Sequence, residues 1–324
     1  MREPITIGGI EVAAGERRNI DLSVAKLYTH TQLHMPVEVL HGRRKGPRLF
    51  VCATLHGDEV NGLEIIRQLL DRLDVGNIRG TLIAVPIVNV FGFIYQSRYL
   101  PDRRDLNRSF PGSSKGSLAG RLANLFMNEV VLQCTYGIDL HTGAPPRTNL
   151  PQIRADLNSS VSRECAEAFR APIMIHKAGP EGSMRRVATH RGIPVMLYEA
   201  GETLRFDQDS IRIGVEGILR VMKHLKMLDG IRTRRGTPSQ EVSRTSWIRA
   251  RQSGILRLTA TLGSSIRRHE ALGVIADPFG ETSKLIKAPF GGMIIGMTTN
   301  PLVHRGDALI HLAAIKDTAA DAKS

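Results

Sequence analysis

At 324 residues the chain is long enough for one large hydrophobic core with a smaller module beside it, since single cores rarely grow beyond ~250–300 residues. Its 42% apolar content, punctuated by 31 Gly and 16 Pro, excludes disordered and fibrous classes. Lysine and arginine outnumber the acids 44 to 31, a net charge of +13. Aromatics are only 5%, however, Trp247 is the single tryptophan and no nucleic-acid-binding motif accompanies the charge, so no nucleic-acid partner is expected and the surplus is left to steer an anionic substrate.

The start, Met1-Arg2-Glu3-Pro4, has no apolar signal core behind it. Residues 1–48 alternate apolar and polar side chains, as in Ile20-Asp21-Leu22-Ser23-Val24, which predicts antiparallel strands. The continuous run Leu49-Phe50-Val51-Cys52-Ala53 predicts a buried strand, and Val60, Leu63, Ile65, Ile66, Leu69 and Leu70 then recur at helical spacing. His56 and Glu59 lie between them, in a turn that Gly57 makes tight. An imidazole and a carboxylate three residues apart can converge on one zinc-like ion; Glu59 can equally cap the helix that follows.

Thr81-Leu82-Ile83-Ala84-Val85 is the next strand, ended by Pro86; the apolar region 81–95 is too interrupted to span a membrane. Residues 89–117 read as one long loop, a length that is usually functional, carrying Arg98, Arg103, Arg104, Asp105, Asn107 and Arg108. Ser117 caps a helix expected to reach about residue 132. A second apolar strand then ends Ile138-Asp139-Leu140-His141-Thr142-Gly143. His56, Glu59 and His141 together leave a fourth position open, as in a catalytic rather than a structural zinc site, with one Zn2+ per chain. Asp139 is either a support for that site or a solvated strand residue.

Alternation of helix and strand continues through a strand at 150–155, a helix at 158–170, a strand at 172–176 and a helix at 182–190. The run Ile193-Pro194-Val195-Met196-Leu197-Tyr198 then delivers Glu199, with Glu202 read as structural. Sites in open α/β sheets gather outside the carboxyl ends of strands, so His56, His141 and Glu199 can meet. A closing helix is expected at 207–227 and a basic linker at 229–240. Residues 241–318 read as a small all-β barrel or sandwich, followed by a tail at 319–324, so the catalytic α/β domain is expected within 1–228. Cys52, Cys134 and Cys165, an odd count in apolar or helical surroundings, read as reduced buried thiols of a cytoplasmic protein.

The ordered motifs His56-Gly57-Asp58-Glu59, Asp105-Leu106-Asn107-Arg108-Ser109-Phe110-Pro111-Gly112, Asp139-Leu140-His141-Thr142-Gly143 and Tyr198-Glu199-Ala200-Gly201-Glu202 resemble the succinylglutamate desuccinylase and aspartoacylase family over roughly residues 45–225. The β tail also resembles that family's C-terminal module. This resemblance implies an α/β, mixed-sheet, zinc carboxypeptidase-like domain with one catalytic zinc on His56, Glu59 and His141. It implies Glu199 as general base, Asn107 and Arg108 holding a substrate carboxylate, and Arg98 polarising the scissile carbonyl, a role Arg103 or Arg104 can also fill. The implied reaction removes an acyl group from an N-acyl amino acid or a similar small carboxylate-bearing amide. A peptide-cleaving carboxypeptidase or an esterase shares such a site, and a non-catalytic metal- or ligand-binding protein is the alternative from another class. Glu281-Thr282-Ser283-Lys284 and its surroundings look like a lipoyl or biotinyl carrier hairpin, but Lys284 lies closer to Pro289 than in lipoyl domains and is expected to be an ordinary turn lysine. The β module is then expected to shape the pocket mouth or a contact between copies in a homo-oligomer.

Overall fold

Alternation at the N-terminus is realised as antiparallel pairs, Ile5–Ile7 (β1) with Ile10–Val12 (β2) and Glu16–Lys26 (β3) with Gln32–His41 (β4). Ile20, Leu22, Met35, Val37 and Val39 form their buried face. The computed structural model describes residues 2–230 and 232–315. Arg44–Ala53 (β5) is buried from Leu49 onward, as its continuous apolar run requires, and Asn61–Asp71 (α1) packs Ile65, Ile66, Leu69 and Leu70 inward. Arg79–Val85 (β6) pairs parallel with β5 and antiparallel with β4.

Residues 89–117 are not one unbroken loop. Val90–Ile94 (α2) is a short helix whose cap, Asn89, accepts from Gly92 N, and Leu106–Arg108 is a single 3-10 turn capped by Asp105. Both are too short for helical periodicity to register in the sequence. Leu118–Glu129 (α3) is capped by Ser117 as expected, and ends before residue 132 because the chain tightens into a 3-10 turn at Val131–Gln133.

Then follow Tyr136–His141 (β7), Arg147–Ala155 (β8), Ser160–Phe169 (α4), Ile173–His176 (β9), Met184–His190 (α5), Val195–Gly201 (β10) and Gln208–His224 (α6). All described regular structure beyond them is strand: Gln240–Arg249 (β11), Gly254–Leu258 (β12), Ser265–Ile266 (β13), Ala271–Ala276 (β14), Ser283–Lys287 (β15), Gly292–Thr298 (β16), Leu302–Val303 (β17) and Ala308–Ile315 (β18). Lys284 lies within β15 opposite Ile275, not on a turn; the chain reverses at 277–282 instead. Residues 316–318 of the expected β module and the tail 319–324 lie outside the described residues.

The main sheet is mixed and runs β13-β16-β18-β11-β9-β8-β10-β7-β5-β6-β4-β3. One face is covered by α1, α4 and α6 through residues such as Ile66, Phe169 and Ile218, the other by α3 and α5 through Leu122, Phe126 and Met184. A second sheet, β15-β14-β12-β17, belongs to the C-terminal part. Two pairings tie that part to the rest: β11 runs parallel to β9, and β16 pairs with β8 as well as with β18. The strands β8, β9, β11, β18 and β16 therefore form a closed ring. Cys52, Cys134 and Cys165 are free and buried. No helix among the described residues is long and apolar enough to cross a membrane.

Candidate active site

Three neighbouring parallel strands, β10, β7 and β5, end on the same edge, and each end carries part of the site. The end of β7 supplies His141, which lies in register with Glu199 on β10. The turn after β5 supplies His56 and Glu59. Gly57 serves this turn by close approach, not by an unusual backbone angle: a Cβ there would lie 1.9 Å from the carbonyl carbon of Gly92. The left-handed residue of the turn is Thr54. Glu59 does not cap α1, whose N-terminus has no side-chain cap.

Ligand-type atoms of His56, Glu59 and His141 converge within 4.8 Å of one another. The residues are 4%, 2% and 6% exposed. The Glu59 carboxylate stands 2.7 Å from Nδ1 of His56 through Oε1 and 2.7 Å from Nδ1 of His141 through Oε2, and Oε2 also accepts from Thr142 N at 3.1 Å. The outer ring nitrogens face carboxylates too. His56 Nε2 lies 3.2 Å from Asp105 Oδ1, and His141 Nε2 lies 2.9 Å from Asp139 Oδ2. The second contact is close but misaligned for a hydrogen bond, so both atoms are buried without one. Asp139 is fully buried, which removes the solvated reading.

Burial works against a charged His141, but Asp139 and Glu59 outweigh it and push its pKa well above the ordinary histidine value. Burial likewise opposes ionised Glu59, and the two imidazoles more than reverse it, holding the carboxyl below the usual range. Two imidazoles and one carboxylate, each imidazole backed by a further carboxylate, is the donor chemistry that suits a borderline divalent ion such as zinc. The residues present fit that ion.

Arg98 donates to Asp105 Oδ2 at 2.9 Å and lies 3.4 Å from Glu59 Oε1. Asp105 thus pairs with Arg98. Arg103 and Arg104 are exposed and do not line the cavity. The buried Asn107 amide accepts from Met184 N at 3.0 Å, which fixes its orientation, and Arg108 donates to the Asn107 carbonyl at 2.6 Å. Glu199 is gripped at both oxygens from β8: Asn149 Nδ2 donates to Oε1, and Arg154 lies 2.8 Å from Oε2. Glu202 accepts from Thr299 Oγ1 at 3.0 Å, at the edge of the C-terminal strands.

All seven residues singled out in the sequence, His56, Glu59, Arg98, Asn107, Arg108, His141 and Glu199, line one cavity of about 470 Å³. Sequence reasoning missed Arg154, Lys177 and Arg185, which line it as well. Arg185 donates to the carbonyls of Arg154 and Lys177 at 2.6 and 2.7 Å, and burial brings its pKa down to about 10. Arg154 sits in a strand that also carries Arg147, Asn149 and Gln152, so no sequence signal set it apart.

Fold and site together define a class: a mixed α/β protein with a His-Glu-His group gathered at parallel strand ends. The chain belongs to the succinylglutamate desuccinylase/aspartoacylase family, whose catalytic-domain profile matches residues 45–225. A relative, the N-alpha-acetyl-L-2,4-diaminobutyric acid deacetylase of Halomonas elongata, is 24% identical over 297 residues, covering 88% of this chain and 86% of that protein. Among solved structures, a succinylglutamate desuccinylase/aspartoacylase from Rhodobacter sphaeroides superposes with a TM-score of 0.83 at 23% identity over 97% of each chain. The product-bound ectoine utilization protein EutE of Ruegeria pomeroyi gives 0.84 at 21% identity over 97% of this chain and 100% of that one. At these identities the two structures speak for the fold.

Proposed function

We propose that this chain is a zinc-dependent amidohydrolase, zinc carboxypeptidase-like in its catalytic fold, that removes an acyl group from a small N-acylated amino acid. The observation that carries the reading is the meeting, in one cavity, of seven side chains from four separate segments. His56, Glu59 and His141 would hold the ion. When bound, zinc supplies a Lewis acid beside the scissile carbonyl and makes water a nucleophile near neutral pH. Glu199 takes the proton of the attacking water and returns it to the leaving amine, work worth roughly 10²–10⁴-fold. Arg98 places a guanidinium where charge develops on the carbonyl oxygen. Asn107 and Arg108 hold the substrate carboxylate, for which the two parallel donors of a guanidinium are suited. The lining supports a carboxylate-bearing substrate, because Arg98, Arg108, Arg154, Lys177 and Arg185 face only Glu59 and Glu199 among the lining acids. The family and the deacetylase relative support the same reaction class. On this reading residues 1–228 are the catalytic domain, 229–240 a linker and 241–318 an accessory all-β module, and the free buried thiols support a reducing, cytoplasmic setting.

The test is primary-amine release from a panel of N-acetyl, N-succinyl and N-formyl amino acids, with short peptides and esters alongside, before and after chelation. Release that disappears on chelation and returns with zinc is expected. Stoichiometric zinc with no amine released from any amide would overturn the proposal.

A further inference from the structure

Glu199 is held by a residue that itself depends on the C-terminal strands. Asn149, 4% exposed, donates to Glu199 from the start of β8, and in the β8–β16 pairing it stands directly opposite Gly296. Gly296 is in turn opposite His311 of β18, and His311 is opposite Trp247 of β11. Facing residues in a sheet put their side chains on one surface, so Asn149, position 296, His311 and Trp247 form one row across four strands.

Gly296 is the gap in that row. Its backbone is not left-handed, so conformation does not demand glycine there. Space does. A Cβ at 296 would lie 2.5 Å from Asn149 Oδ1 and 3.3 Å from His311 Cβ. His311 has nowhere to retreat, because its ring stacks on Trp247 with centroids 4.5 Å apart and planes 6° from parallel, and Arg147 covers the indole at 4.9 Å. The atom that must yield is the Asn149 amide, and its movement takes Nδ2 away from Glu199.

We infer that Asn149 and Gly296 are positioning residues for Glu199, so that β16, from the far end of the chain, sets the aim of the proton-transferring carboxylate. Neither residue lines the cavity. The inference rests on the role proposed for Glu199.

The experiment compares Gly296→Ala, Asn149→Ala and the double variant with the unaltered chain, reading kcat and KM on the N-acyl amino acid with the highest turnover. Gly291→Ala is the control, since a Cβ there comes no closer than 3.4 Å to its nearest neighbour and leaves the row untouched. Misaiming a proton-transfer group lowers turnover more than binding, so each single variant is expected to lose roughly 10–100-fold in kcat with KM changed less than about threefold. The double variant should be no slower than Asn149→Ala, because the added methyl acts only through that amide. Unaltered kcat in Gly296→Ala, or losses that multiply in the double variant, would overturn the inference. Should Gly296→Ala not fold, Asn149→Asp reads the same link by setting a like charge against Glu199, and full turnover in it is equally fatal. If the unaltered chain hydrolyses none of the amides, the functional reading has failed. Crystal structures then decide the positioning alone: an amide swung off Glu199 in Gly296→Ala supports it, and an amide still in contact refutes it.

Discussion

The carboxylate of Glu59 separates two imidazoles whose ring centroids are 5.0 Å apart, and each imidazole leans outward on a further acid. Supports of this kind fix ring orientation and raise ligand basicity, and their loss typically costs 10–100-fold in metal affinity. Asp139→Asn is therefore expected to weaken zinc binding by about that factor in competition with a chelator, while Glu199→Gln keeps its zinc and loses roughly 10²–10⁴-fold in kcat. Equal zinc affinity in Asp139→Asn would show that the misaligned Asp139–His141 contact contributes nothing. At this scale much was legible. His56, Glu59 and His141 were legible as a group because two separate apolar strands each lead to a histidine followed closely by a glycine, although Glu59 alone reads equally well as a helix cap. Asn149 and Arg185 were not, since an asparagine at a strand start and an arginine in a short helix are ordinary residues until folding brings them beside Glu199 and the cavity.

Helix α6 holds its neighbours partly through one acid. Glu216, buried on α6, pairs with Arg72 at the end of α1 at 2.8 Å and accepts from Arg234 N at 2.9 Å, so the basic stretch after residue 230 is anchored to the helix layer. Burial opposes its ionisation, but the bonds from Arg72 and from the Arg234 amide prevail and set its pKa below the ordinary 4.5. The unfolded chain thus takes up a proton first as pH falls. The contribution is complete above about 4.5 and is lost as the pH drops through the lower, folded value. Urea melts between pH 6 and 3 should accordingly show a shallower acid loss of stability in Glu216→Gln than in the unaltered chain; identical pH dependence would remove Glu216 from the account. The elements themselves follow from periodicity, and the helix start at Ser117 follows from its capping side chain. What escaped were pieces shorter than two turns, such as α2, and the partners of each strand, because a pattern tells which face is buried but not which strand lies alongside.

Taken whole, the strands before residue 230 and several of those after it share one sheet. Val242, Ile295 and Ala313 from the C-terminal strands bury Ile173 and Ile175 of β9, and β11 and β16 satisfy backbone groups of β9 and β8. A chain ended after Gly230 would bare those edges. Unpaired sheet edges flanked by apolar side chains associate, so the shortened chain is expected to aggregate or to lose cooperative melting, whereas the full chain unfolds in one transition by both circular dichroism and calorimetry. A shortened chain that stays monomeric and melts within a few degrees of the full one would show that the ring is dispensable. Closure of the ring also has a temporal side. The β3–β4 hairpin can zip as soon as it is made, but β8 must wait for β16, which follows it by nearly half the chain. Closing so long a loop costs little more free energy than closing a moderate one, yet long-range pairing is slow. On a ribosome the start of β8, Arg147 to Asn149, and the apolar β9 edge at Ile173 and Ile175 stay open until β16 and β11 are made, so that corner is where a chaperone has most to shield.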